Sequence, residues 1–183
     1  MTITTTDHGV GLYVACLASY NNGILHGAWI EGSDLEDLDC LKEAIEAVLE
    51  ASPEPGAEEY AIHDHEGLPD FLRGEWPNLS DVVDYCQQLT KCCDDTEQLA
   101  YRKACEAESQ VMTKDDALES YMGCYDSEAD FAEQYYLERC SFPEEIQPLI
   151  NHVDWGQVWE CEFDCAGWWS HRDDDGNVLI FSA

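Results

Sequence analysis

Two strand-forming runs on either side of a glycine turn limit what the start of this chain can become. "GLYVACLAS" (Gly11 to Ser19) and "ILHGAWI" (Ile24 to Ile30) favour extended backbone, and "YNNG" lies between them. Asn and Gly tolerate positive φ, so the spacing predicts an antiparallel hairpin turned at Asn21-Asn22-Gly23. A third run, "EEYAIHDH" (Glu58 to His65), predicts another strand. Between the second and third runs, "SDLEDLDCLKEAIEAVLEAS" places Leu35, Leu38, Leu41, Ile45, Val48 and Leu49 at helical spacing. Ser33 and Glu36 stand as a capping box, and "PEPG" ends the helix. The section therefore reads β-β-α-β, with the strands as a packing surface for the helix and Trp29 among its anchors.

That helix carries a second pattern. At 100° per residue, Glu36, Asp39, Glu43, Glu46 and Glu50 fall within about 80° of arc, beside the apolar stripe. They form a rail about 21 Å long with a charge about every 5 Å. Phosphates along one DNA strand repeat about every 3.4 Å of axis, a density of the same order. Like charges at these spacings destabilise a helix by a few tenths of a kcal/mol each, and only Lys42 relieves them.

A charged helix face is ordinarily just a solvated one. Here the whole composition leans the same way: 40 Asp and Glu stand against 8 Lys and Arg, a net charge of -32 in 183 residues. With 45% hydrophobic and 11% aromatic residues the chain is built to fold, so the charge sits on a folded surface. Such a surface is repelled by nucleic acid and anionic membranes and attracts cations or basic protein surfaces. Its net charge equals the phosphate charge of about 16 base pairs of duplex.

The charge is uneven along the chain. Residues 1–66 hold 14 acidic and 1 basic residue, residues 67–110 hold 9 and 4, and residues 111–183 hold 17 and 3. The middle section has two helical patterns, "NLSDVVDYCQQLTKCC" and "DDTEQLAYRKACEAES". The last predicts a short helix near "TKDDALESYM", a longer one in "SEADFAEQYYLERC" capped by Ser127, and another in "DWGQVWECEF". "GWWSHRDDDGNVLIFS" closes the chain as a hairpin around Asp-Gly. The chain thus reads as α+β in three sections, long enough for one domain or for two or three small ones: a 1–66 sheet and helix, a 67–110 helical module and a 111–183 α+β section.

Other chemistry has weaker support. "RDDDGN" (Arg172 to Asn177) starts like a calcium loop, but the sequence ends before the bidentate Glu such a loop requires. Cys92 and Cys93 are adjacent, Cys161 and Cys165 are four apart, and His63 and His65 flank Asp64, yet no second zinc knuckle completes any of these. The ten cysteines read as reduced thiols, mostly small buried apolar residues. No G-x-S-x-G, H-E-x-x-H or P-loop is present, and choosing a nucleophile among ten Cys and six His would be arbitrary. No catalytic residue, metal or cofactor is expected. With no export signal or bilayer-length apolar run, a soluble cytoplasmic protein is expected. Two alternatives stay open: a halophilic acidic surface, and a Cys/His metal protein.

"YVACLASYNNGILHGAWIE" (Tyr13 to Glu31) and "EEYAIHDHEG" (Glu58 to Gly67) resemble the ArdA antirestriction family. Tyr20, Asn21 and Gly23 match its turn, Gly27 and Trp29 its second strand, and Ala61, Ile62, His63, Asp64, Glu66 and Gly67 its third. His65 stands where members carry an aromatic. "DFAEQYYLE" and "VDWGQVWECEF" are similar to its acidic C-terminal helices. The resemblance implies an elongated DNA mimic of three domains, 1–66, 67–110 and 111–183, that dimerises through its C-terminal domain and inhibits type I restriction-modification enzymes by filling their DNA groove. The rail would then be part of the mimic surface. Position in the chain adds Asp115, Asp116, Glu119, Asp126, Glu128, Asp130, Glu133, Glu160, Glu162 and Asp164. A dimer would match the phosphates of about 32 base pairs.

Overall fold

A computed structural model describes residues 9–183, which separate after Lys114 into two compact units. The first contains β1 (Gly11–Cys16), α1 (Leu17–Asn21), β2 (Gly27–Glu31), α2 (Leu38–Glu50), β3 (Tyr60–Glu66), α3 (Leu79–Leu89) and α4 (Asp95–Glu108). α5 (Lys114–Leu118) leads into the second, with β4 (Tyr121–Tyr125), α6 (Glu128–Arg139), α7 (Gln147–Ile150), α8 (Trp155–Val158), β5 (Trp169–Arg172) and β6 (Val178–Phe181). The fold is α+β.

In the first unit the antiparallel sheet runs β2-β1-β3. Strand alternation turns Leu12, Val14 and Cys16 of β1 to one side, where all three are fully buried. α2 packs against β1 and β2 and buries Leu41, Ile45 and Val48. α3 and α4 add a second layer around Tyr85 and Tyr101, whose rings are 5.5 Å apart. Asn78 and Asp94 cap these helices, accepting from the backbone N–H groups of Ser80 and Glu97.

In the second unit β6 is the central strand, flanked by β4 and β5, and is buried throughout. One face packs under α6 and the segment Trp155–Phe163. Phe131 is the hub of this core, with the rings of Tyr125, Phe163, Tyr135, Trp168 and Trp159 all at 5.1–5.8 Å. The expected Ser127 cap is present: its hydroxyl accepts from Asp130 N. So is the closing hairpin, whose Asp173 accepts from the backbone N–H of Asn177 at 2.7 Å and from its side-chain amide at 3.0 Å.

Several expectations are corrected. β1 and β2 pair as predicted, but no two-residue turn joins them. Leu17–Asn21 makes a helical turn, Ile24 N–H bonds the Ser19 carbonyl, Gly23 N–H bonds the Tyr20 carbonyl, and Gly23 sits at φ +78°. This is a Schellman termination, which uses the same left-handed glycine as a hairpin turn. The capping box at Ser33 and Glu36 does not form either. Asp37 caps α2 by accepting from Cys40 N, while Ser33 lies in a separate 3-10 turn. Trp29 does not anchor α2; it is 43% exposed on the opposite face, and Ile30 is the buried neighbour. The "TKDDALESYM" helix stops at Leu118, and Tyr121–Tyr125 is an unforeseen strand, irregular where Gly123 takes φ +123°. Of the ten cysteines only Cys16, Cys86 and Cys105 are buried, and five are exposed.

Candidate functional site

α2 presents its carboxylates because the apolar side of the helix is already committed to the sheet. Asp39, Glu43, Glu46 and Glu50 are all exposed. At helical geometry they lie within about 60° of arc over about 17 Å, on the side away from Leu41, Ile45 and Val48. Glu36 is exposed as well but precedes the Asp37 cap, so it is outside the helix and the rail begins at Asp39. Lys42 pairs with Asp39 at 3.4 Å, the single ion pair on this face among the described residues.

A helix favours cations in its last turn, where its carbonyl dipoles point outward. α2 has no basic residue there and ends in Glu46 and Glu50. The placement of these acids therefore opposes helix stability.

The carboxylates of the second unit are arranged differently. Asp115 and Asp116 sit in the first turn of α5, Glu119 just beyond it, and Asp126 after β4. Glu160 and Glu162 lie in the wide turn Trp159–Phe163, and Asp164 in the 3-10 turn that follows. Asp115, Asp116, Glu119, Asp126, Asp130, Glu160, Glu162 and Asp164 are exposed; Glu128 and Glu133 are half-buried. On α6, Glu128 points about 170° away from the mean direction of Asp130 and Glu133, so the three do not share one face.

Several of these groups have other partners. Glu128 accepts from Arg172 at 3.1 Å and Ser170 at 3.0 Å, tying α6 to β5. Asp130 accepts from the Ser127 hydroxyl at 2.6 Å, and Glu160 from Gln157 at 3.2 Å.

Most of the scarce cations are engaged within the fold. Six of the eight basic side chains are in ion pairs: Lys42, Arg73, Lys103, Lys114, Arg139 and Arg172. Arg102 donates to the Gly67 carbonyl. The acids held most closely serve structure. The Cys93 N–H and Lys114 hold Glu97 below the ordinary carboxylate range, the Cys40 N–H does the same for Asp37, and Asn177 for Asp173.

Sequence periodicity passed over Glu31, Asp64 and Glu66, which are exposed on the first sheet. They come from different strands, so only the pairing register brings them together. Composition pointed beyond the helical rail without singling out these three.

Among the described residues no group of three or more His, Cys, Asp or Glu side chains is placed to hold a metal ion. Burial pushes the Cys86 and Cys92 thiols up to about 11, so both are protonated at neutral pH. Among the same residues no helix is long and apolar enough to cross a membrane.

Two α+β units faced with carboxylates, with most of their cations held in internal ion pairs, define a polyanionic protein. The chain matches the family model of the ArdA antirestriction protein over residues 12–167, and it belongs to that family. It is thus an antirestriction protein, of a family whose target is a restriction-modification enzyme. No curated protein matches the chain.

Proposed function

We propose that the protein blocks a type I restriction-modification enzyme by occupying its DNA-binding groove as a mimic of DNA, without catalysis of its own. The observation that carries this is the α2 rail: four exposed carboxylates on one narrow stripe, running from the first turn into a last turn where helix stability would place lysine and Glu50 stands instead. A groove built to neutralise phosphates neutralises such a stripe with the same basic side chains. The enzyme's methyltransferase core is the docking partner, so modification is inhibited along with restriction. Glu36 and the acids from Asp115 to Asp164 extend the surface. In this proposal the chain acts in the cytoplasm as a homodimer joined through residues 111–183, with 1–66 and 67–110 as further domains.

Competition tests it. The purified protein should displace a DNA duplex from a type I methyltransferase core, and displacement should weaken steeply between about 0.1 and about 0.5 M salt. Simultaneous binding of DNA and protein would refute the mimic, as would an inhibition constant indifferent to salt.

A further inference from the structure

The face of the first sheet turned away from α2 combines aromatic rings with carboxylates. Opposite Leu12 and Val14 in the alternation of β1 stand Gly11 and Tyr13. The register puts Trp29 on one side of Tyr13 and Asp64 on the other, and it puts Glu31 and Glu66 on either side of Gly11. The two rings lie 5.6 Å apart at 58°.

Glycine permits this arrangement. A Cβ on Gly11 would stand 3.3 Å from Cε3 of Trp29, and one on Gly27 would stand 2.8 Å from the Tyr13 ring and hydroxyl. Each ring therefore rests on bare backbone of the neighbouring strand and spreads along the sheet. Trp29 stays 43% exposed, and Glu31, Asp64 and Glu66 are exposed around it. β1, β2 and β3 contain no Lys or Arg, and Arg102, at the end of β3, is engaged by the Gly67 carbonyl.

The charge selects the occupant. An apolar partner would strip water from three carboxylates without returning a counter-charge. A phosphate or an anionic lipid would be repelled. A guanidinium satisfies both components, because it is planar, weakly hydrated, stacks on indole and bonds carboxylates in fork geometry. A lysine ammonium, compact and strongly hydrated, suits the carboxylates but stacks poorly.

We propose that this face is an arginine-binding platform, on which a guanidinium of a basic protein partner stacks against Trp29 and pairs with Glu31, Asp64 or Glu66. The partner's identity as a restriction-modification enzyme rests on the function proposed above. The platform adds a contact of a different kind from the rail, short-ranged and partly dehydrated, so it is less weakened by salt.

Trp29→Ala and Trp29→Phe test it in the full-length chain, with circular dichroism to verify folding. Binding to the methyltransferase core should weaken about tenfold in Trp29→Ala and less in Trp29→Phe. The slope of log affinity against log salt should stay unchanged, whereas neutralising the rail should flatten it. Equal affinity of Trp29→Ala and wild type would overturn the platform. A change of oligomeric state in Trp29→Ala would also overturn it, marking the face as a self-association surface. If the wild type does not bind the core at all, the proposed function fails and a second arm decides the platform separately. Wild type should bind an arginine-rich peptide more tightly than the equal-length lysine peptide, with a shift of the Trp29 indole N–H resonance, and Trp29→Ala should lose that preference. A preference that survives the substitution sinks the platform whatever the partner is.

Discussion

The α2 carboxylates and those around α6 come from equally acidic stretches but do different work. On α2 like-charged neighbours disfavour the acids and the helix dipole disfavours those at its C-terminal end, and among the described residues Lys42 is the one ion-pair partner given to them. Around α6 Glu128 braces a strand, Asp130 is drawn into the cap and Glu160 meets an amide. Net charge treats these groups as equal; their neighbours do not. Under the proposed function, an acid that lowers the stability of its own helix is explained by what it meets outside the chain, and an acid that holds two elements together is explained within it.

The largest expected effect tests whether the two regions are separate. Phe131→Ala removes the hub of the aromatic core and should destabilise the second unit by about 3–5 kcal/mol. Calorimetry or hydrogen exchange should show the first unit retaining its protection; a loss spread equally over both would break the comparison. Next comes the rail itself. The fourfold variant Asp39→Asn, Glu43→Gln, Glu46→Gln, Glu50→Gln should weaken inhibition at least about tenfold and flatten its salt dependence, since it removes charges without removing packing. Neutralising Asp130 and Glu160 should weaken inhibition far less, and equal losses would erase the distinction.

Asp37→Ala, which deletes the cap of α2, should lower the melting temperature of the first unit by a few degrees. Because the folded-state Asp37 titrates below its unfolded value, its contribution is complete above about pH 4 and is lost as the pH falls through the lowered pKa. The difference between wild type and Asp37→Ala should thus shrink in acid. The smallest effect is the most discriminating: Glu50→Lys should raise stability by a few tenths of a kcal/mol and still impair inhibition. A variant gaining in both would mean that the rail has no function beyond its helix.

Much of the fold was legible because local patterns and tertiary packing agree. Leu41, Ile45 and Val48 mark the buried side of α2, Ser127 starts α6, and the Asp-Gly turn sits inside the last hairpin. Misreadings occurred where one residue chemistry serves two geometries. Asn22-Gly23 supplies the left-handed conformation of a hairpin turn and equally that of a helix end, and only the Ile24 to Ser19 hydrogen bond distinguishes them. Ser33 and Asp37 are both sound caps, and the 3-10 turn at Gly32–Asp34 leaves the role to Asp37. β4 is short, with a glycine at its irregular point, so it carries little period. The helical rail was visible because its acids share a sequence spacing. The acids of the sheet face are neighbours by register alone, which no single segment encodes.

α2 is held at both ends. Gln87 of α3 donates to the Glu36 carbonyl just before the helix begins. At the other end the His26 imidazole donates to the Val48 carbonyl at 2.8 Å, and the Ser52 hydroxyl bonds that of buried Ser19 at 2.9 Å. The helix is therefore restrained from sliding along its axis or fraying at either terminus. A flexible acidic tail of equal charge would surrender backbone freedom residue by residue as it settled on a basic surface. In the proposed complex that ordering is complete once the chain has folded, and the carboxylates reach the partner as graduations on a rigid ruler.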